Sequence, residues 1–193
     1  LGLKLQRNLS DYIKIYHNHI DDDICKQTID ELNAAVWHEH TFDNYDNKTK
    51  IKLSGNQELS TSYDNVSTKD VLMKQIWEGL NQYIIKDFHF SWLDGWNGFT
   101  PLRFNQYKEN KKMAEHCDHI IINEAGTRKG IPVLSIIGSL NDDYEGGEFI
   151  MFQDEEIKLK QGDLMIFPSV FLYPHRVEPV TKGVRNTFVS WAW

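Results

Sequence analysis

Apolar and polar positions follow two different periods along this chain. Residues 12–16 (Tyr-Ile-Lys-Ile-Tyr) set a lysine among apolar side chains, as in a short half-buried strand. Residues 21–23 are three aspartates suited to cap a helix, and Cys25, Ile29, Leu32 and Val36 then recur on one helical face. Residues 38–66 are rich in Asn, Asp, Ser and Thr and read as long loops with short strands. Ser67 and Asp70 form the signature of a capping box. Leu72, Ile76, Leu80 and Tyr83 continue as an apolar stripe to about Lys86, slightly weakened by Gly79. Core packing accounts for both stripes.

From Phe99 onward, apolar runs of four to eight residues alternate with turn signals. The candidate strands are 102–107, 114–120, 132–140, 148–152, 163–167, 175–179 and 184–193. Turns fall at 110–112, 141–147, 161–162 and 182–183. Many short strands preceded by helices, instead of alternating with them, argue against a parallel α/β sheet. The predicted architecture is mainly β with N-terminal helices: a jelly-roll core over about 99–193, buttressed by a helical part over about 1–98, in one domain spanning 1–193.

Composition narrows the function. The 193 residues hold 21 Lys and Arg against 28 Asp and Glu, a net charge of −7, so no basic excess exists to neutralise nucleic-acid phosphates. No apolar stretch reaches the roughly 18 residues of a membrane span. Two cysteines, Cys25 and Cys117, are too few for a disulfide scaffold and fit a reducing compartment. Residues 1–10 lack a signal-peptide core, and the expected location is cytoplasmic. Because the chain starts without Met, a targeting segment ahead of it stays open.

Candidate chemistry lies in the strand-rich half. In His116-Cys117-Asp118, an imidazole and a carboxylate stand two residues apart and would share one strand face. His175, after a short apolar strand, is the candidate third ligand. Two histidines and a carboxylate on one side of a metal suit non-haem Fe(II), which keeps positions open for a co-substrate and O2. Arg185, ten residues after His175, would present a fixed fork of donors inside the barrel, where burial without an anion is costly. A diacid chelating iron at one end and meeting Arg185 at the other fits this layout.

The run His116-x-Asp118, His175, Arg185 resembles the 2-oxoglutarate- and Fe(II)-dependent oxygenases, and more narrowly their prolyl 4-hydroxylase branch. Supporting motifs are Tyr107 nine residues before His116, Leu140-Asn141, Glu145-Gly146-Gly147-Glu148, the Gly162–Phe167 strand and Trp191. The resemblance implies a double-stranded β-helix with His116, Asp118 and His175 as catalytic iron ligands. It implies Arg185 and Tyr107 at 2-oxoglutarate, O2 as oxidant, ascorbate as a candidate reductant, and succinate and CO2 as products. The implied substrate is a protein or peptide containing proline, with no nucleic acid and no membrane as partner.

The pattern departs from that branch at several places. Ser139 stands where a tyrosine often helps bind the far carboxylate, and Ser135 is the other candidate for that contact. Asn110 and Met113 replace a glycine and a tyrosine, and Met113 borders the expected substrate side. Retention of Asp118 favours hydroxylation over halogenation. Trp191 occupies the position of the second arginine expected of a nucleic-acid demethylase. The alternatives are a hydroxylase of another side chain or small molecule, or a non-catalytic jelly-roll binding module. Trp92, Gly95, Trp96 and Gly98 read as loop packing or a substrate platform, and 38–66 as a connector or a lid. His17, His19, His38, His40 and His89 read as surface or structural. His119 is expected to face away from iron, Cys117 to pack, and 154–156 to form a solvated turn.

Overall fold

The computed structural model describes residues 8–44, 49–90, 98–118 and 132–193. The N-terminal part contains β1 (Lys14–Tyr16), α1 (Asp22–Leu32), β2 (His38–Glu39), β3 (Phe42–Asn44), β4 (Thr49–Ile51), β5 (Ser60–Ser62) and α2 (Lys69–Asn81). Then come β6 (Arg103–Tyr107), β7 (Met113–His116), β8 (Leu134–Ser139), β9 (Glu145–Gly146) and β10 (Phe149–Met151). The chain ends with β11 (Glu155–Ile157), β12 (Leu164–Pro168), β13 (His175–Val177), β14 (Val180–Lys182) and β15 (Arg185–Ala192).

The major sheet has seven strands in the order β1-β12-β8-β15-β6-β5-β2, and the minor sheet has four, β11-β10-β13-β7. Every pairing within these two sheets is antiparallel. Period-two alternation divides the major sheet's side chains between two cores. Leu164 and Ile166 of β12, Ile136 of β8, Phe104 of β6 and Phe188 of β15 pack with Cys25 and Leu32 of α1 and Leu72, Ile76 and Leu80 of α2. From the opposite face, Met165, Phe167, Ile137, Val189 and Trp191 meet Phe149, Met151, Val177 and Met113 of the minor sheet. The major sheet is therefore the middle of three layers, and the strands predicted over the C-terminal half form its centre and the facing sheet.

Several local expectations change. Helix α1 ends at Leu32, and Val36 lies beyond it, exposed. The Ser67–Asp70 capping box does not form: Thr68 is the cap, and Ser67 instead bonds Glu31 of α1 through its backbone N–H, 2.6 Å, and its hydroxyl. A tertiary contact to a charged acceptor thus replaces the local one. Beyond α2 the chain widens into a π-type turn over Gln82–Asp87. Residues 38–66 do more than connect, because β2 and β5 extend the major sheet along β6. The expected turn at 154–156 holds only at Asp154; Glu155 and Glu156 are exposed strand residues of β11. No helix among the described residues is long and apolar enough to cross a membrane.

Gly79 turns out to be a close-approach site and not a mere weakness: a Cβ there would sit 2.4 Å from a Leu164 methyl. Gly138 is tighter still. It lies on β8 between β12 and β15, and a Cβ would fall 2.1 Å from the Phe188 ring. Gly138→Ala should cost about 1–3 kcal/mol of stability by overpacking. An unshifted urea midpoint for this variant would contradict the packing described.

Candidate active site

Strands β13 and β7 pair His175 with His116, and then Val177 with Met113. Two residues on β13 therefore span three on β7. The extra residue is a β-bulge, which turns both Met113 and His116 towards the interior despite their odd spacing. β7 ends at His116, and Asp118 sits in the bend that follows, so its carboxylate reaches the same point without regular strand geometry.

One ligand atom from each of His116, Asp118 and His175 lies within 4.8 Å of the other two. The Nε2 of His116 is 3.5 Å from Asp118 Oδ1, and the Nε2 of His175 is 3.8 Å from Asp118 Oδ2. Each histidine Nδ1–H donates to the carbonyl two residues upstream: His116 to Ala114 at 2.8 Å, His175 to Tyr173 at 3.0 Å. A carbonyl only accepts, so both Nε2 lone pairs are left for a ligand. Phe149 stacks on His175 with ring centres 5.3 Å apart, and the Phe167 edge meets it at 5.2 Å. Phe42 meets His116 edge-on at 5.5 Å.

Electrostatics act on His175 and Asp118. Burial and the neighbouring His116 press His175 down to about 4, so it is neutral at pH 7. Burial alone would raise the Asp118 carboxyl. His175, His116 and the Ser135 hydroxyl override this and hold it well below the usual carboxylate range. Ser135 Oγ donates to Asp118 Oδ2 at 2.7 Å and is 2.8 Å from the buried Ser169 hydroxyl. Two imidazoles with their Nε2 atoms free and an anionic carboxylate make a donor set that fits a divalent iron ion.

Arg185 lines the same cavity, which holds about 400 Å³ of empty space, part of it open to solvent. It opens β15 opposite Tyr107 and is 2% exposed, with its guanidinium carbon 4.9 Å from the centre of the Tyr107 ring. Its Nε has no hydrogen-bond partner. Burial pushes the Tyr107 phenol up, against the opposing charges of Arg185 and Arg103. The motif residues explain how Arg185 fits. Gly147, at φ +66°, leaves room where a Cβ would crowd Arg185 Cδ at 3.2 Å. Gly146, at φ +73°, avoids the Pro179 carbonyl, which a Cβ would meet at 2.5 Å. The Asn141 side chain donates to the Val184 carbonyl at 2.7 Å and accepts from the Asn186 N–H at 2.8 Å, clasping the residues on either side of Arg185. In the Gly-Asp strand, Asp163 accepts N–H groups of Asn18 and Lys160 and so ties the N-terminal segment to the sheet.

The structure thus gathers His116, Asp118, His175, Arg185 and Tyr107 around one cavity, with Met113 and Trp191 in its wall. Neither serine hydroxyl is directed to Arg185: Ser135 bonds Asp118, and Ser139 donates to the Asn141 carbonyl at 3.1 Å. The position of Ser139 in the sequence could not show this, because both hydroxyls sit on the inner face of β8. Arg103, Asn105, Thr187 and Val189 also line the cavity, and no motif in the sequence marks them. The available signal was alternation, since 103, 105 and 107 share one strand face and 185, 187, 189 and 191 another. His40, expected at the surface or in a structural role, is buried, with its ring 4.6 Å from Phe42. Trp92, Gly95, Trp96 and His119 lie outside the described residues. Because Ser135 fixes Asp118, Ser135→Ala should weaken metal binding by about tenfold or more while preserving the fold. Titration with Mn(II) measures this, and an unchanged affinity would show that the hydroxyl does not orient the carboxylate.

Residues 102–193 match the family described as the 2OG-Fe(II) oxygenase superfamily. A PKHD-type hydroxylase of Aliarcobacter butzleri (strain RM4018) is 38% identical over 96 residues, covering 47% of this chain and 41% of the relative. Another, from Xylella fastidiosa (strain M12), is 38% identical over 102 residues, covering 47% of this chain and 43% of the relative. The matched part therefore spans less than half the length of these curated relatives. The viral collagen prolyl hydroxylase of Paramecium Bursaria Chlorella virus-1, in its 2OG complex, superposes with a TM-score of 0.65 over 94% of each chain at 16% identity. A Trichoplax adhaerens prolyl hydroxylase, in complex with a hypoxia inducible factor peptide fragment, gives a TM-score of 0.70 at 13% identity, covering 95% of this chain and 84% of that one. The shared fold is the double-stranded β-helix of prolyl hydroxylases. Residues 102–193, a little under half of this chain, are thus similar to the 2OG-Fe(II) oxygenase superfamily.

Proposed function

We propose that this chain is a 2-oxoglutarate-dependent hydroxylase acting on a proline within a peptide or protein. The observation that carries the reading is the pairing of two unmet needs in one cavity. The His116–Asp118–His175 cluster offers three converging ligand atoms, and Arg185 is a buried cation whose Nε lacks a partner. A metal answers the first need and the far carboxylate of a diacid the second.

In this reading His116 and His175 hold Fe(II) through Nε2, and Asp118 through its carboxylate. Fe(II), once bound with 2-oxoglutarate and O2, supplies oxidative decarboxylation to succinate and CO2 coupled to hydroxylation of a C–H bond. The protein's part is positioning. Arg185 anchors the far carboxylate, Tyr107 backs its guanidinium, and Phe149 and Phe167 keep water from the inner side of His175. Ser135 holds Asp118 in one orientation, so that iron binding costs little rearrangement. The preference for proline rests on the prolyl hydroxylase folds and on the PKHD-type hydroxylases among the relatives. A cytoplasmic setting belongs to the same proposal, since Cys25 and Cys117 are both free thiols.

Mass spectrometry of proline-containing peptides tests this directly. With Fe(II), 2-oxoglutarate and O2, a peptide should gain one oxygen atom on proline, with matching succinate. Arg185→Ala should weaken 2-oxoglutarate binding by about a hundredfold or more while leaving iron affinity within about threefold. Equal losses for both ligands would contradict the assignment of Arg185, and oxygen gained on a different residue would contradict the preference for proline.

A further inference from the structure

The same cavity contains a second arginine, Arg103, apart from the one assigned to the co-substrate. Arg103 begins β6 and shares its inner face with Asn105 and Tyr107. Its guanidinium carbon lies 4.8 Å from the centre of the Trp191 ring, and its Nε–H donates to Asn105 Oδ1 at 3.1 Å. Stacking occupies the flat face of the group, and the Nε bond sets its rotation. Neither contact cancels the charge, and Arg103 has no carboxylate partner among the described residues. Its two terminal nitrogens, with their fork of N–H donors, remain available for a ligand.

The register separates the two arginines. Arg185 faces Tyr107 across the β6–β15 pair, while Arg103 faces Val189, four residues further along β6 and so roughly 13 Å away along the strand. Arg185 is fully buried, whereas Arg103 is only partly so. A diacid with one end at the His116–Asp118–His175 cluster and the other at Arg185 has no carboxylate left for Arg103. An anion meeting Arg103 would therefore come from the other molecule that enters the cavity, the substrate.

We propose that Arg103, stacked on Trp191 and steadied by Asn105, is a specificity-determining residue that pairs with a carboxylate of the substrate. That carboxylate is an acidic side chain beside the hydroxylated residue or the substrate's own C-terminus. The inference rests on the reading of this cavity as an oxygenase site. The overall charge of −7 gives it weight: an acidic peptide is repelled by most of this protein and gains only where a fixed cation meets it.

The test measures binding to the protein loaded with Mn(II) and 2-oxoglutarate, using three fluorescent proline peptides. One has acidic flanks and an amidated end; one has the matching Asn and Gln flanks and an amidated end; one has neutral flanks and a free C-terminal carboxylate. A carboxylate-bearing peptide should bind the unmodified protein about tenfold or more tightly than the neutral amide. In Arg103→Gln that ratio should fall to about one, with 2-oxoglutarate affinity within about twofold, and Arg103→Lys should keep part of the preference. Which carboxylate peptide gains identifies the source of the anion. Charge-blind binding, no binding of either carboxylate peptide, or a preference that survives in Arg103→Gln would each overturn the proposal. An equal loss of 2-oxoglutarate affinity would do so too, by placing Arg103 on the co-substrate. Oxygen gain by the same peptides is read separately, so a failure of the hydroxylase reading is not mistaken for a failure of charge selection.

Discussion

Two opposite charges share one interior cavity and do not meet. Asp118, an anion even though buried, lies with two imidazoles on the minor-sheet side, while Arg185 is buried against Tyr107 on the major sheet. No ion pair joins them, and each is a costly burial while its charge is uncompensated. A direct Asp118–Arg185 bridge would relieve both costs and leave no site. The sheets hold the two charges apart, and that separation is what makes the cavity receptive to a cation at one end and an anion at the other.

The fold maintains the separation through rigid elements. Arg185 and Tyr107 are paired by register in the middle of seven strands, and the histidines are paired by register in the facing four. The bulge on β7 re-aims His116, the Asn141 side chain clasps the start of β15, and Gly147 yields the space that the Arg185 stem fills. The helices pack only on the far face of the major sheet. They stiffen the site from behind and add no ligand to the cluster, a division of labour that suits a site needing a fixed geometry.

Local spacing made the chemistry legible, while long-range pairing hid its context. The convergence of His116, Asp118, His175 and Arg185 on one cavity was legible, because their residue types stand at the offsets that the proposed metal and diacid would demand. Both helices and most C-terminal strands followed from apolar periodicity. The joining of β1, β2 and β5 to the major sheet could not be read, because strands of two or three residues owe their existence to distant partners. Likewise Ser67 left its expected cap for Glu31 on another helix, and Ser135 turned to Asp118 instead of the anion end. In sequence Arg103 is any polar residue of a half-buried strand; the Trp191 ring beneath it is close in space but 88 positions later.

X-ray absorption at the iron edge of the anaerobic Fe(II)-loaded protein addresses the central claim most directly. The account predicts a six-coordinate ferrous ion with two imidazole nitrogens and one carboxylate oxygen from the protein, one imidazole fewer in His175→Ala, and a shell that changes on addition of 2-oxoglutarate. Iron surrounded only by water, or a shell indifferent to His175 and to 2-oxoglutarate, would contradict it.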